Sequence, residues 1–251
     1  MSIVVRTENI KKNFDGVKAV DGETISFAPG KITGIIGPNG SGKSTLVNIL
    51  TGMVPFDSGF ACIGEHTCIT HIRPYDLVDF GIARTFQDIR IFEQMPVLDN
   101  ILIVISPRKI FDSIFERNKK YHIDIAKKVL ERVGLWDKKD CLAHDLSYGQ
   151  RKLLEIARIL ALNEDGNRSI HTIFFDEPFA GLSQEMIKIV SEILLFLKKE
   201  GKTVVFIEHN MDIIRELSDH VVVFNNGKVT TEGNPHEVFL NPLVIEAYLG
   251  K

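Results

Sequence analysis

The sequence predicts an α/β fold: a mostly parallel sheet covered on both faces by helices, with an N-terminal antiparallel β subdomain and an inserted α-helical subdomain. Three observations carry that expectation. Short apolar runs at Ile32–Ile36, Thr172–Phe175 and Thr203–Ile207 read as buried strands. They alternate with stretches of helical apolar spacing, the pattern that builds parallel sheets. Between them, from about Gln87 to Leu162, the texture changes to a helical one.

The elements follow in order. Ile3 to Val5 and Thr24 to Phe27 alternate apolar and polar residues, as half-buried antiparallel strands do. Pro29-Gly30 is a turn signal, and the strand Ile32–Ile36 then feeds a Gly-rich loop. Past Ser44, Leu46, Val47, Ile49 and Leu50 have helical spacing, and Thr51-Gly52 closes that helix. In the middle segment Ile123, Ala126, Val129, Leu130 and Val133 recur at helical spacing, as do Leu153, Leu154, Ile156, Ala157 and Leu160. Strand Thr172–Phe175, a helix over Gln184–Lys199 and strand Thr203–Ile207 resume the core. Val221–Asn225, Asn226-Gly227 and Lys228–Thr230 spell a hairpin. The expected organisation is one domain, with residues 1–86 and 163–251 as core and 87–162 as helical subdomain. Asn163–His171 reads as an exposed loop.

A chain of 251 residues is long enough for a full core, and 44% hydrophobic with 25% charged residues is ordinary for a globular protein. A net charge of -3 argues against nucleic acid as a partner. The longest apolar runs, such as Ile101–Ile105, fall far short of the roughly 20 residues that cross a bilayer. Met1–Arg6 lacks the pattern of a secretion signal. Cys62, Cys68 and Cys141 are too few and irregular for a zinc site or disulfide framework, so free buried thiols and a reducing, cytosolic compartment are expected. Arg108, Lys109, Arg117, Lys119, Lys120, Lys127 and Lys128 form the one basic concentration. It reads as a solvated helix face or as a contact for anionic lipid headgroups beside a membrane partner.

Three motifs carry chemistry. Gly37-Pro38-Asn39-Gly40-Ser41-Gly42-Lys43-Ser44 fits G-x-x-x-x-G-K-[S/T] between a predicted strand and a predicted helix, the context of a phosphate loop. Gly37, Gly40 and Gly42 let backbone N–H groups turn inward around phosphate oxygens, and the following helix adds its positive end. Lys43 is placed to neutralise the β- and γ-phosphates, and the Ser44 hydroxyl to ligate Mg²⁺. Pro38, Asn39, Ser41 and Thr45 complete the candidate contacts to ATP. Asp176 ends an apolar strand, where a buried carboxylate needs a cation, and nucleotide-bound Mg²⁺ supplies one. Glu177 stands one residue on, able to orient or deprotonate an attacking water. These two motifs resemble the P-loop NTPase (RecA-like) core.

The third motif, Leu146-Ser147-Tyr148-Gly149-Gln150, resembles the signature of the ATP-binding cassette (ABC) ATPases, and the resemblance covers essentially the whole chain. It implies that Ser147, the Gly149 backbone and the helix beginning near Gln150 form a second anion site. That site covers the γ-phosphate held by a second ATPase subunit, in a homodimer or heterodimer. Gln87, after Arg84-Thr-Phe86, resembles the glutamine that reaches Mg²⁺ or water and senses the membrane subunit. His209 resembles the switch histidine that contacts the γ-phosphate. Phe14 resembles the aromatic that stacks on adenine, where tyrosine is more usual. Two departures stand out: Tyr148 replaces glycine, so its side chain must point away from phosphate, and Ser183 stands where many members carry aspartate.

A single cassette without membrane spans resembles the motor subunit of a multi-subunit transporter. Finer strings resemble the branched-chain amino-acid importers: Ala83–Gln87, Leu154–Arg158, Ile207–Met211 and Ile245–Gly250. The resemblance implies integral-membrane permease subunits as partners and a peripheral place on the cytoplasmic face of the inner membrane. Two alternatives remain at this point. One is the ATPase of a lipopolysaccharide export system, which shares the string at Asp176–Gly181. The other is a soluble ABC ATPase without a transport role.

Overall fold

The structure, a computed structural model, describes residues 5–64, 67–106, 116–166 and 169–248. The N-terminal elements are β1 (Val5–Phe14), β2 (Val17–Glu23), β3 (Ser26–Phe27), β4 (Ile32–Ile36) and α1 (Lys43–Leu50). Next come β5 (Ser58–Ile63), β6 (Thr67–Ile69), β7 (Ile82–Arg84), α2 (Val97–Ile105), α3 (Glu116–Arg132) and α4 (Tyr148–Glu164). The C-terminal part adds β8 (Thr172–Asp176), α5 (Gln184–Lys199), β9 (Thr203–Ile207), α6 (Met211–Leu217), β10 (His220–Asn225), β11 (Lys228–Gly233), α7 (Pro235–Leu240) and α8 (Pro242–Tyr248).

Two compact units result. The first comprises Met1–Arg84, Ile170–Pro178 and Ile193–Lys251 and holds two sheets. One is antiparallel, in the order β2-β1-β5-β6 with β3 also on β1. The other runs β11-β10-β4-β9-β8-β7 and is parallel except for its edge strand β11. Every residue of β4, β8 and β9 is buried, which is why they read as unbroken apolar runs rather than alternating ones. Phe27 of the antiparallel sheet meets Phe174 of β8 edge-on at 5.8 Å. Around that pair Leu46, Ile49 and Leu50 of α1, Val205, Ile207, Val222 and Phe224 close one core. Burying each such side chain stabilises the unit by about 1.5–3 kcal/mol.

The strand order positions the chemistry. β4, β9 and β8 are neighbours and parallel, so the segments leaving their C-terminal ends converge at one end of the sheet. Those segments carry the phosphate loop, His209 and Asp176-Glu177.

The second unit comprises Thr85–Ser169 and Phe179–Glu192: α2, α3, α4 and the first part of α5. Phe179–Glu192 thus groups with the helices. The segment Asn163–His171 is not the wholly exposed loop expected. Asp165 and Ile170 are buried, because α4 runs on to Glu164 and Tyr121 donates to the Asp165 carbonyl at 3.1 Å. Of the basic concentration, Arg108 and Lys109 lie outside the described residues. Lys127 and Lys128 pair with Glu131 and Glu164 on an exposed face, at 3.7 and 2.6 Å.

The cysteine expectation is corrected. Cys62 and Cys68 form a disulfide, and Cys141 is exposed. The cause is register: in the β5–β6 pairing Cys62 stands directly opposite Cys68, with Cα atoms 3.9 Å apart. Cysteine usage therefore carries no argument for a reducing compartment.

Candidate active site

The loop after β4 wraps around the Lys43 ammonium, which donates to the carbonyls of Gly37 at 2.7 Å and Pro38 at 2.9 Å and reaches Ser41 Oγ at 3.4 Å. Two glycines make the wrap possible. A Cβ on Gly37 would stand 2.2 Å from the Phe224 carbonyl oxygen, and one on Gly42 2.1 Å from that of Ala19. Both are backbone atoms with no room to yield. Pro38, Asn39 and Gly40 are exposed at the tip, while Ser44 and Thr45 are half-buried in the first turn of α1. Burial lowers the proton affinity of Lys43, and the carboxylates of Glu177 and Asp176 oppose that effect. Those carboxylates therefore lie within the field of the ammonium.

Asp176 is buried at the end of β8, and its Oδ2 lies 3.5 Å from Arg84 Nη2 on the neighbouring strand β7. Arg84 also donates to Asn48 Oδ1 at 2.9 Å and Thr51 Oγ1 at 2.5 Å, fixing the guanidinium against α1. The Asp176 carboxylate and the Ser44 hydroxyl are hard oxygen donors, the type that suits Mg²⁺. At 3.5 Å the Arg84 contact is longer than a strong charge-assisted hydrogen bond, so a cation can compete for that carboxylate.

Glu177 adopts a left-handed backbone, φ 46°, and donates its N–H to the Ile207 carbonyl of β9 at 3.1 Å. Its Oε1 meets His209 Nε2 at 3.2 Å. His209 is held in turn by Glu208, whose buried Oε2 accepts the N–H groups of His209 at 3.0 Å and Asn210 at 3.5 Å. Asn210 then caps α6 through its side-chain oxygen. Phe14, at the end of β1, is 45% exposed with Lys12 Nζ 5.1 Å from its ring centroid. That exposure leaves part of the ring accessible, which a core phenylalanine would not offer.

The remaining predicted residues belong to the second unit. Gln87 is exposed in the loop between β7 and α2. Ser147 caps α4 in a reciprocal arrangement: its Oγ accepts from Gln150 N at 3.3 Å, and Gln150 Oε1 accepts from Ser147 N at 3.1 Å. Lys138 Nζ also donates to Gln150 Oε1 at 3.1 Å, so this side chain braces the turn. A Cβ on Gly149 would lie 2.5 Å from Met186 Sδ, so glycine lets α4 begin against α5. Tyr148 turns onto Gly181, where a Cβ would come within 2.9 Å of its ring. Ser183 accepts the Met186 N–H at 3.4 Å, serving the start of α5 as an aspartate would.

Sequence reasoning gave no role to Arg84 or Glu208. Both stand inside the strings Ala83–Gln87 and Ile207–Met211, and nothing in either string marks its charge as buried.

Residues 20–180 match the ABC transporter family profile. The chain belongs to that family. This cassette is 39% identical to a probable branched-chain amino acid transport ATP-binding protein, LivG, of Methanocaldococcus jannaschii, across 99% of this chain and 98% of the relative. It is 30% identical to the high-affinity branched-chain amino acid transport ATP-binding protein LivG of Escherichia coli K12, over the same shares. Among solved structures it resembles the ADP conformation of an ATP-binding cassette of an ABC transporter, at 38% identity, TM-score 0.81 and full coverage of both chains. A nucleotide-free cassette matches at 39% identity and TM-score 0.82, over 99% of this chain and all of the other.

Proposed function

We propose that this cassette binds and hydrolyses Mg·ATP as the motor subunit of a multi-subunit importer of branched-chain amino acids. The observation that carries the hydrolytic reading is the Glu177–His209 pair, 3.2 Å apart, at the ends of the neighbouring strands β8 and β9, with β9 beside β4, the strand that delivers the phosphate loop. In hydrolysis a water oxygen bonds to the γ-phosphorus while the bond to the β-bridging oxygen breaks, and the water proton must leave. Glu177 accepts that proton or orients the water; His209 holds the carboxylate and contacts the γ-phosphate. Lys43 releases its own loop carbonyls to take the β- and γ-phosphate oxygens. Ser44 and Asp176 would hold Mg²⁺, with Gln87 as the further ligand that the family resemblance implies, and the ion would neutralise charge on the phosphoryl oxygens. Phe14 stacks on the adenine.

Support for the cargo comes from relatives named for branched-chain amino acid transport that align over nearly their whole length. Among the described residues no helix is long and apolar enough to cross a membrane. Closure of two cassettes is useful here only through a permease, so permease subunits and a second ATPase subunit are the partners. In the proposed complex the chain is peripheral, at the cytoplasmic face of the membrane. Deleting the gene in a strain without redundant importers is expected to abolish uptake of labelled leucine, isoleucine and valine. Unchanged uptake together with a failure of lipopolysaccharide export would move the assignment to that machinery.

A further inference from the structure

The loop that carries Gln87 is held by an acidic side chain to which no role has been given. Glu155, in the middle of α4, is 5% exposed, and its Oε1 accepts the N–H of Phe86 at 3.3 Å and of Arg90 at 3.4 Å. One carboxyl oxygen thus binds both ends of the turn whose middle residues, Gln87 and Asp88, are exposed. One helical turn on, Arg158 donates to the Arg90 carbonyl, and its guanidinium lies 5.3 Å from the Phe92 ring centroid. Arg90 folds over Phe86 at 4.0 Å, closing the turn from outside. Downstream, buried Asn100 ties the segment off, accepting from Phe92 N at 2.8 Å and donating to the carbonyls of Phe92 and Pro96 at 3.0 and 3.1 Å.

A carboxyl in this place is costly unless it does something. Burial raises its proton affinity, and the N–H groups of Phe86 and Arg90 oppose the rise. Oε2 is buried with no hydrogen-bond partner among the described residues. All the hydrogen bonding of this side chain is therefore spent on the Gln87 loop. Oε1 accepts in either protonation state, so geometry rather than charge is what the site uses.

We propose that Glu155 is a positioning residue for Gln87, setting the glutamine by anchoring its loop to α4. Ser147 caps the same helix eight residues earlier, about 12 Å along its axis. Gln87 and the Ser147 turn are thereby fixed to one rigid element, and a displacement of either is a displacement of both. The functional part of the inference rests on reading Gln87 as a ligand of Mg²⁺ or of the attacking water; the anchoring itself does not.

The test compares Glu155→Met, which fills the space without accepting, and Glu155→Gln, which keeps an acceptor oxygen, with Gln87→Ala. Glu155→Ala serves as a second non-accepting variant should the methionine fail to fold. Amide hydrogen exchange over residues 86–92 is expected to rise about tenfold or more in Glu155→Met and to stay near wild type in Glu155→Gln. Steady-state ATPase titrated with Mg²⁺ should show Glu155→Met lowering kcat and raising the half-saturating Mg²⁺ as Gln87→Ala does. The double variant should be no worse than Gln87→Ala alone, because both changes remove the same function. Unchanged exchange in the non-accepting variants overturns the anchoring, and additive losses in the double variant overturn the route through Gln87. If Gln87→Ala leaves turnover intact, the ligand role of Gln87 fails, while the exchange measurement still decides the anchor.

Discussion

A glutamate with φ 46° is an uncommon choice, and Glu177 makes it at the point where hydrolysis would occur. Among the described residues the other non-glycine positions with positive φ are Asn9, Asp15 and Asn226, types whose short polar side chains tolerate that backbone. Glutamate has no such excuse, and the conformation costs about 1–2 kcal/mol. The cost is held in place by the Ile207 carbonyl and by His209, and it turns the carboxylate toward the histidine rather than along the strand. Replacing Glu177 by Gln is expected to keep ATP binding and lower turnover by about 10²–10⁴-fold, since an amide holds the shape without the basicity. Replacing it by Gly is expected to abolish turnover while raising stability by about 1 kcal/mol, as the strain disappears. Calorimetric titration with ATP, a phosphate-release assay and thermal melts check the pair. A glycine variant that is less stable than wild type would show that the backbone is not strained.

The elements depend on single side chains of this kind at their ends. Asp219 accepts the Ile32 N–H at 2.9 Å and the Lys198 ammonium at 2.7 Å, so it fixes the start of β4, the strand that delivers the phosphate loop. Burial alone would raise its proton affinity, but the Ile32 N–H and Lys198 outweigh burial and lower it. A carboxyl with a depressed folded value contributes stability above its unfolded value, near 3.9, and loses it as pH falls through the folded one. Asp219→Ala is therefore expected to cost about 1–3 kcal/mol at pH 7, with the gap to wild type narrowing below about pH 4. Urea titrations at both pH values measure this, and a gap that stays constant removes the ionised carboxylate from the account. Legibility in the sequence followed the same line between local and tertiary causes. β4, β8 and β9 were readable because burial on both faces leaves an apolar run, and the β10–β11 hairpin because Asn226-Gly227 supplies the left-handed turn. The three-residue strands β6 and β7 were not, since they exist by pairing with β5 and β8 and have no pattern of their own. The phosphate loop, Asp176, Glu177 and Ser147 were readable as motifs. Arg84, Glu155 and Glu208 were not, because a charge looks the same in sequence whether solvated or buried against a partner.

At the scale of the whole molecule the two proposed anion sites belong to different compact units: the phosphate loop to the first, the Ser147 helix start to the second. The proposed motor uses the second feature on the ATP of another cassette, so nucleotide binding and pairing must be separable by mutation. In a Glu177→Gln background, where ATP persists, Mg·ATP is expected to double the apparent mass of the 28.3 kDa chain in size-exclusion with light scattering. Ser147→Phe in that background fills the helix start and removes the cap on Gln150 N, at a cost of about 1 kcal/mol that leaves the fold standing. It should abolish the mass increase while a fluorescent ATP analogue still binds within about threefold of the parent affinity, because a change below 1 kcal/mol is all that a remote cap can impose. Loss of nucleotide binding by the monomer would place Ser147 in its own chain's ATP site and end the proposed exchange between cassettes. A mass increase that survives Ser147→Phe would show that pairing proceeds without the helix start, leaving the reciprocal capping of α4 as the only task of that serine.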